Sequence, residues 1–156
     1  LATLLPVQIV WCLFQYLRGN KMSNARDISS MKETQVAQAW VNFDGTFASS
    51  PFTEANGGIR DSYNITSVTD NAAGVYTVNF ANAFANTNWA MTTSGKYSKH
   101  SDQNMPVIAL DRQVDDNVAI TTTSARIATV AVTSTPTFFP YADCEFVYAS
   151  FFGELS

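Results

Sequence analysis

The sequence predicts an all-β fold, namely an antiparallel β-sandwich of about seven to eight strands preceded by a polar N-terminal arm or short helix. After residue 40, apolar and polar residues alternate in short runs, which is the period of a half-buried strand. Segments rich in Asp, Asn, Gly, Ser and Pro separate these runs. No stretch beyond residue 40 shows the 3.6-residue period of a helix, so short strands joined by turns are expected throughout.

The first strand is predicted in AWVNFDGT, Ala39–Thr46. Trp40 and Asn42 share one face of this strand, and Val41 and Phe43 share the other. Both faces therefore carry apolar side chains. We therefore expect both faces to be partly covered. Asp44 and Gly45 follow as turn residues and end the strand.

A β-hairpin is predicted next, in IRDSYNITSV followed by VYTVNF. The turn between the two runs is expected at Thr69–Gly74, which is rich in Asp, Asn and Gly. In the first run one parity carries the apolar residues Ile59, Tyr63 and Ile65. In the second run the buried parity is expected to hold Tyr76, Val78 and Phe80.

Five further strands are predicted toward the C-terminus. They are Asn88–Ser94, Val107–Arg112, Val118–Ser124, Ile127–Thr133 and Glu145–Phe152. The links SKHSDQNMP, QVDDN and STPTFFPYAD carry the turn residues expected between antiparallel strands. Together with the first strand and the hairpin, these runs account for the predicted sandwich.

The chain has 156 residues, which suits one ordinary domain. We assign residues 38–156 to the sandwich, 22–37 to the polar N-terminal arm, and 1–21 to an apolar leader. Two interpretations of the leader stay open: a reading frame extended upstream of a start at Met22, or a hydrophobic segment. Its apolar run is shorter than the about 20 residues of a spanning helix and is interrupted by polar residues, so no stable membrane insertion is expected.

Composition excludes several classes of function. Only 14% of residues are charged and the net charge is −4. From Trp40 onward, five basic residues stand against eleven acidic ones, so no basic face for nucleic acid is expected. The two cysteines, Cys12 and Cys144, do not suggest a disulfide framework, and Cys144 is expected to pack as a small buried apolar residue.

Residues with catalytic or metal-binding chemistry are sparse. His100 is the only histidine, and no nucleophile motif accompanies it, so no enzyme activity and no cofactor are expected. The carboxylates of Asp111, Asp115 and Asp116 are interpreted as residues of a hairpin turn, and no metal site is expected there. The NIT sequence at Asn64 lies in a predicted strand and is not expected to be glycosylated.

Four stretches are similar to a β-domain that recurs in phage virion proteins, mainly in tail-fibre proteins. They are AWVNFDGT, IRDSYNITSVTDNAAGVYTVNF, NTNWAM and the C-terminal EFVYASFFGE. The resemblance covers residues 36–156 and is strongest up to Met91. It implies a fold and a virion context, and it carries no catalytic residues.

The resemblance implies a non-enzymatic virion structural protein, a tail-fibre component that mediates attachment to the host surface, and a homotrimer is the expected oligomer. Its expected partners are other virion proteins and a host-surface glycan or protein. Two alternatives stay open, a head or tail decoration protein and a lectin-like carbohydrate-binding module. Because loops on a rigid scaffold carry specificity, ligand contacts are expected in Gly95–Asn104 and Ser134–Asp143. The candidate residues are Tyr97, Lys99, His100, Phe138 and Phe139.

Overall fold

A computed structural model describes residues 36–96, 105–110, 120–132 and 141–156, all within one compact unit that spans Glu33–Ser156. The leader and all but the last two residues of the predicted arm lie outside these ranges. The described residues contain eight strands and no helix. The strands are β1 (Ala39–Phe43), β2 (Ile59–Tyr63), β3 (Ile65–Ala72), β4 (Val75–Phe80), β5 (Ala90–Lys96), β6 (Met105–Leu110), β7 (Ser124–Val132) and β8 (Phe146–Phe152).

The strands form two four-stranded sheets, and every pair of neighbours is antiparallel. The front sheet has the order β2-β1-β8-β5, and the back sheet has the order β3-β4-β7-β6. Apolar side chains from both sheets meet in one hydrophobic core. The predicted all-β sandwich is therefore confirmed, at the upper end of the expected strand number.

Aromatic side chains fill both ends of the core. At one end the Phe43 ring packs edge-on against Tyr76, with 5.1 Å between ring centroids. At the other end Phe151 packs edge-on against Phe80 at 4.9 Å and against Trp89 at 5.6 Å. Edge-to-face pairs of this kind contribute about 0.5–1.5 kcal/mol beyond the buried area. The predicted buried parity of β4, with Tyr76, Val78 and Phe80, is confirmed.

The alternation in β1 is also confirmed. One parity is buried in the core and consists of Ala39, Val41 and Phe43. The other parity, Trp40 and Asn42, lies on the outer surface of the front sheet and is half-buried. Both faces of β1 are thus covered to some degree, as the sequence predicts.

The predicted strand IRDSYNITSV is divided at Asn64 into β2 of the front sheet and β3 of the back sheet. Asn64 has a φ of 57°, a left-handed conformation that Asn tolerates better than most residues. Its side chain fixes the corner, because Nδ2 donates to the Gln38 carbonyl at 3.1 Å and Oδ1 accepts from the Asn82 amide at 2.7 Å. The Asn64 amide therefore has a structural role at this corner.

The prediction that Tyr63 shares the buried face of Ile59 was wrong. Ile59 is buried, whereas 53% of Tyr63 is exposed. The pairing of β1 with β2 shifts register between Asn42 and Phe43, which leaves Arg60 as an extra residue and reverses the parity beyond it. A one-residue shift moves every later side chain to the opposite face.

The predicted strand at Val118–Ser124 was also wrong over residues 120–123, which form no strand, whereas Ser124 begins β7. The Thr121 hydroxyl accepts a hydrogen bond from the Ser124 amide at 2.9 Å. The Thr121 backbone carbonyl accepts another from the Trp89 indole at 2.9 Å. Thr and Ser side chains that bond to the local backbone compete with sheet pairing. The composition of this run suits a strand, but Thr121 is bonded to Ser124 and to Trp89, and residues 120–123 are not part of either sheet.

A buried polar cluster fastens the segment before β8 to the β3–β4 turn. The Tyr76 hydroxyl lies 2.7 Å from Asp143 Oδ1, and the Gly74 amide donates to the same oxygen at 2.6 Å. Burial, together with the hydrogen bond and charge of Asp143, raises the pKa of Tyr76 above its usual range. The cluster joins Asp143, three residues before β8, to the turn between β3 and β4.

Asp70→Asn is expected to raise the melting temperature by roughly 1–2 °C at neutral pH. Burial, and then the negative charge of Asp143, raise the pKa of Asp70 from 3.8. Above this raised pKa, the ionised Asp70 carboxylate therefore lowers the stability of the folded state. Below pH 3.8, Asp70 is protonated in both the folded and the unfolded state, so this loss of stability disappears.

Thermal unfolding of wild type and Asp70→Asn across this pH range measures the effect. The advantage of the variant should shrink as the pH falls toward 3.8, and high salt should reduce only the smaller part that comes from the charge of Asp143. An advantage that does not change with pH would contradict this electrostatic origin.

Candidate functional site

The outer surface of the front sheet, called the front face, presents five aromatic residues. On β1 and β8 their side chains alternate with residues buried in the core, and the aromatic residue on β2 lies opposite the one on β1, so all five point away from the core. They are Trp40 on β1, Tyr63 on β2, and Phe146, Tyr148 and Phe152 on β8. Tyr63 and Tyr148 are 53% and 38% exposed, and the other three are half-buried. Such a concentration of accessible rings on one sheet surface indicates a contact surface.

Strand register arranges the front face in rows that run across the sheet. In one row Trp40 lies opposite Tyr63 on one side and Ser150 on the other. In the next row Asn42 lies opposite Asp61 and Tyr148. Successive rows are about 6.8 Å apart, because they differ by two residues along a strand. The front face therefore has a pair of aromatic residues, Trp40 and Tyr63, in one row and a pair of polar residues, Asn42 and Asp61, in the next.

Phe146 forms one end of the front face with two cations beside its ring. The Arg60 guanidinium carbon lies 4.2 Å from the ring centroid, and Lys96 Nζ lies 5.5 Å from it. The Phe146 ring is also nearly parallel to that of Tyr148, with centroids 6.4 Å apart and planes inclined by 14°. This end of the front face combines two stacked aromatic rings with two cationic side chains.

Arg60 is held in position by the turn that follows β1. Its Nη2 lies 2.9 Å from Asp44 Oδ2, and its Nη1 donates to the Glu145 carbonyl at 2.7 Å. The other carboxylate oxygen of Asp44 accepts from the Thr46 amide at 2.9 Å, so the turn orients the carboxylate. Because the ion pair is about one quarter exposed, it contributes little to stability and mainly orients the guanidinium.

Asn42 lies at the centre of the front face. The side-chain oxygen Oδ1 is buried and accepts no hydrogen bond from any described residue. A buried acceptor that lacks a donor costs about 1–3 kcal/mol. This amide is therefore unfavourable for the fold at its position.

The outer surface of the back sheet differs, because its amides are paired internally. Asn79 Nδ2 donates to Ser67 Oγ at 3.1 Å and to Thr69 Oγ1 at 3.2 Å. Asn71 Nδ2 donates to Thr77 Oγ1 at 2.8 Å. These cross-strand bonds stabilise the sheet and leave these polar groups less available to a ligand. Of the two surfaces, the front face is the better candidate.

The five ligand-binding residues proposed from sequence lie outside the described residues. They are Tyr97, Lys99, His100, Phe138 and Phe139. The turn carboxylates Asp111, Asp115 and Asp116 lie outside as well. Those assignments stay predictions.

Sequence reasoning missed the front face, although β8 carries a signal for it. In FVYASFF one parity holds Val147, Ala149 and Phe151, which is sufficient for a core face. The other parity holds three aromatic residues, Phe146, Tyr148 and Phe152. A strand with apolar residues on both parities places apolar side chains on the outer surface of its sheet as well as in the core. Such an outer surface is either covered by another part of the protein or contacts a partner.

Other chemistry finds little support within the residues described. Cys144 is buried, as predicted, and burial raises the pKa of its thiol, which disfavours the reactive thiolate. Across the described ranges no three His, Cys, Asp or Glu residues are grouped to hold a metal ion. Nor does this part of the chain form a helix long and apolar enough to cross a membrane.

Comparison with protein-family models, with curated proteins and with solved structures finds no match to this chain. The front face and the sequence resemblance are therefore the two supports for a function.

Proposed function

We propose that this chain is a non-enzymatic attachment domain of a phage tail fibre that binds host-surface carbohydrate through the front face. The observation that carries the proposal is the set of five outward aromatic residues around a polar centre. The virion context rests on the resemblance of AWVNFDGT and the following motifs to tail-fibre domains. In this proposal the domain acts as a homotrimer alongside other virion proteins.

The chemistry of the front face suits a sugar. A pyranose ring has apolar C–H faces that pack on aromatic rings and a rim of hydroxyls that need donors and acceptors. Trp40 and Tyr63 supply a ring pair in one row, and Asn42 with Asp61 supplies an amide and a carboxylate in the next. Rigid strands hold these groups in fixed register, so little order is lost on binding.

A neutral or weakly charged ligand fits the electrostatics. The charge of Arg60 is largely offset by Asp44 at 2.9 Å, and Asp61 on β2 and Lys96 on β5 place one charge of each sign at opposite edges of the front sheet. A strongly anionic ligand such as nucleic acid would need several unopposed cations, which the front face does not provide. Hydroxyl-rich carbohydrate is the class that matches rings and amides with little net charge.

Trp40→Ala and Tyr63→Ala are expected to lower carbohydrate binding by roughly tenfold or more, because aromatic residues at the centre of a contact surface supply most of its binding energy. The measurement is fluorescence retained on an array of bacterial capsular and O-antigen oligosaccharides. Tyr63→Ala is the variant less disruptive to the fold, since 53% of the side chain is exposed. Val107→Ala is the control, an exposed apolar residue on β6 of the back sheet whose loss should leave binding unchanged.

Three results would redirect the proposal. Wild type that binds no oligosaccharide would contradict carbohydrate attachment. Loss of binding in Tyr97→Ala or His100→Ala, with Trp40→Ala unaffected, would place the site in the loop Gly95–Asn104. A change in oligomer mass for Trp40→Ala, measured by light scattering, would identify the front face as an interface between copies. Immunogold labelling of particles separates a fibre from a head or tail decoration protein.

A further inference from the structure

We propose that Asn42 is the residue of the front face that selects the sugar, and that the ligand is an oligosaccharide of at least two pyranose units lying along the strands. This inference rests on the proposed carbohydrate function. It identifies the specificity-determining group and the minimum size of the ligand.

The position of Asn42 is unfavourable for the fold in two ways. β1 is an interior strand, paired with β2 on one side and β8 on the other, and Asn is a poor strand former. In addition, Asn42 Oδ1 is buried and has no donor among the described residues. A valine, leucine or threonine would pack on the same surface without this penalty. Groups that weaken the fold in this way are expected at binding sites.

The neighbours of Asn42 show what would use the amide. Trp40 lies two residues away on the same face of β1, and Tyr148 lies directly opposite on β8. Asp61 lies opposite on β2 and adds a carboxylate. A sugar packed on these rings would bring its hydroxyls to the amide, where Oδ1 accepts one O–H and Nδ2 donates to another. The orientation of those hydroxyls then decides which sugar is accepted.

Binding requires a small local change, because Asn42 Oδ1 is buried in the free protein. Rotamer changes of surface side chains are fast and are common when a partner binds. The hydroxyl that reaches Oδ1 would satisfy an acceptor that is unsatisfied in the free protein. This gain makes the amide a discriminating contact, since a sugar without that hydroxyl would leave it unpaired.

The spacing of the rows sets the length of the ligand. Trp40 and Phe146 lie in rows on either side of the Asn42 row, so these two rings are separated by about 14 Å along the strands. A single pyranose ring is too short to contact both. An oligosaccharide that runs along β1 and β8 would contact the Trp40 row, the amide and the Phe146 end together.

The test compares Asn42→Leu and Asn42→Val with Asn79→Leu. Asn79 is the matched control, an outward amide on the interior strand β4 whose Nδ2 is already bonded to Ser67 and Thr69. Melting temperature and binding on the oligosaccharide array are measured for each. Both Asn42 variants should melt at a higher temperature than wild type and bind at least about tenfold more weakly. Asn79→Leu should melt at a lower temperature and bind as wild type does.

Each outcome is decisive. If wild type binds an array oligosaccharide and both Asn42 variants bind it equally well, this inference is wrong while the proposed function stands. A lower melting temperature for both variants would show that Asn42 supports the fold, which also overturns the inference. If the methyl glycoside of the terminal sugar binds as tightly as the whole oligosaccharide, the assigned ligand length is wrong. If the wild-type protein binds no oligosaccharide on the array, both the proposed function and this inference are wrong.

Discussion

Phe151→Ala is expected to lower the free energy of unfolding by about 3–5 kcal/mol. The Phe151 side chain is fully buried, and its ring packs edge-on against Phe80 at 4.9 Å and Trp89 at 5.6 Å. Truncation removes these contacts and leaves a cavity that the aromatic neighbours cannot fill without leaving their rotamers. Chemical denaturation followed by tryptophan fluorescence measures the change.

The neighbouring residue supplies the control for Phe151. Phe152 carries the same side chain on the front face and is only half-buried, so Phe152→Ala should cost about 1 kcal/mol. Phe151→Leu keeps most of the volume and gives a measurable folded variant if Phe151→Ala does not fold. Equal losses for the two alanine variants would contradict the assignment of β8 to a buried face and an outer face.

Gly74→Ala is expected to cost at least about 3 kcal/mol. Gly74 has a φ of 69°, which disfavours any side chain, and an added Cβ would lie 2.5 Å from the Ala142 amide nitrogen and 2.6 Å from the Thr129 carbonyl oxygen. Both are backbone atoms, and the Ala142 amide donates to the Thr129 carbonyl at 3.0 Å, so neither can move without straining this hydrogen bond. The Gly74 amide also donates to Asp143 at 2.6 Å, a bond that displacement of the turn would break.

Gly57→Ala separates steric overlap from backbone strain. Gly57 also has a left-handed backbone, with a φ of 82°, but an added Cβ would meet nothing within 4 Å. The free energy of unfolding of this variant should fall only by the cost of placing a residue with a Cβ in the left-handed conformation, about 1–2 kcal/mol. If urea denaturation gives the same loss of unfolding free energy for both glycine variants, the close backbone contacts at Gly74 do not contribute to the cost of Gly74→Ala.

The sequence predicted the elements whose patterns are local. Val41 and Phe43 share one parity of their strand, and Tyr76 and Val78 share one parity of theirs. This period is visible in the chain, and both pairs are buried as expected. The turn before Val75 was predicted from its Asp, Asn and Gly content, although β3 continues to Ala72. These features depend on neighbouring residues, so periodicity and turn chemistry are sufficient to find them.

The failures arise where distant residues decide the outcome. Tyr63 is exposed because a register shift beside Arg60 reverses its parity, and such a shift depends on the partner strand β1. Residues 120–123 resemble a strand in composition, but the Thr121 carbonyl is bonded to the indole of Trp89, 32 residues earlier in the chain. Neither outcome can be seen in the segment itself.

By itself the sequence determined the all-β class, the inward faces of β1 and β4, and the small supply of catalytic groups, because these follow from side-chain period and composition. Only the tertiary structure placed Trp40, Asn42 and Tyr148 beside one another on the front face. Their proximity depends on β1 pairing with β8, more than one hundred residues later in the chain, and on the register of that pairing. Local pattern shows that a strand has two faces, but the sheet order decides which residues from other strands share each face.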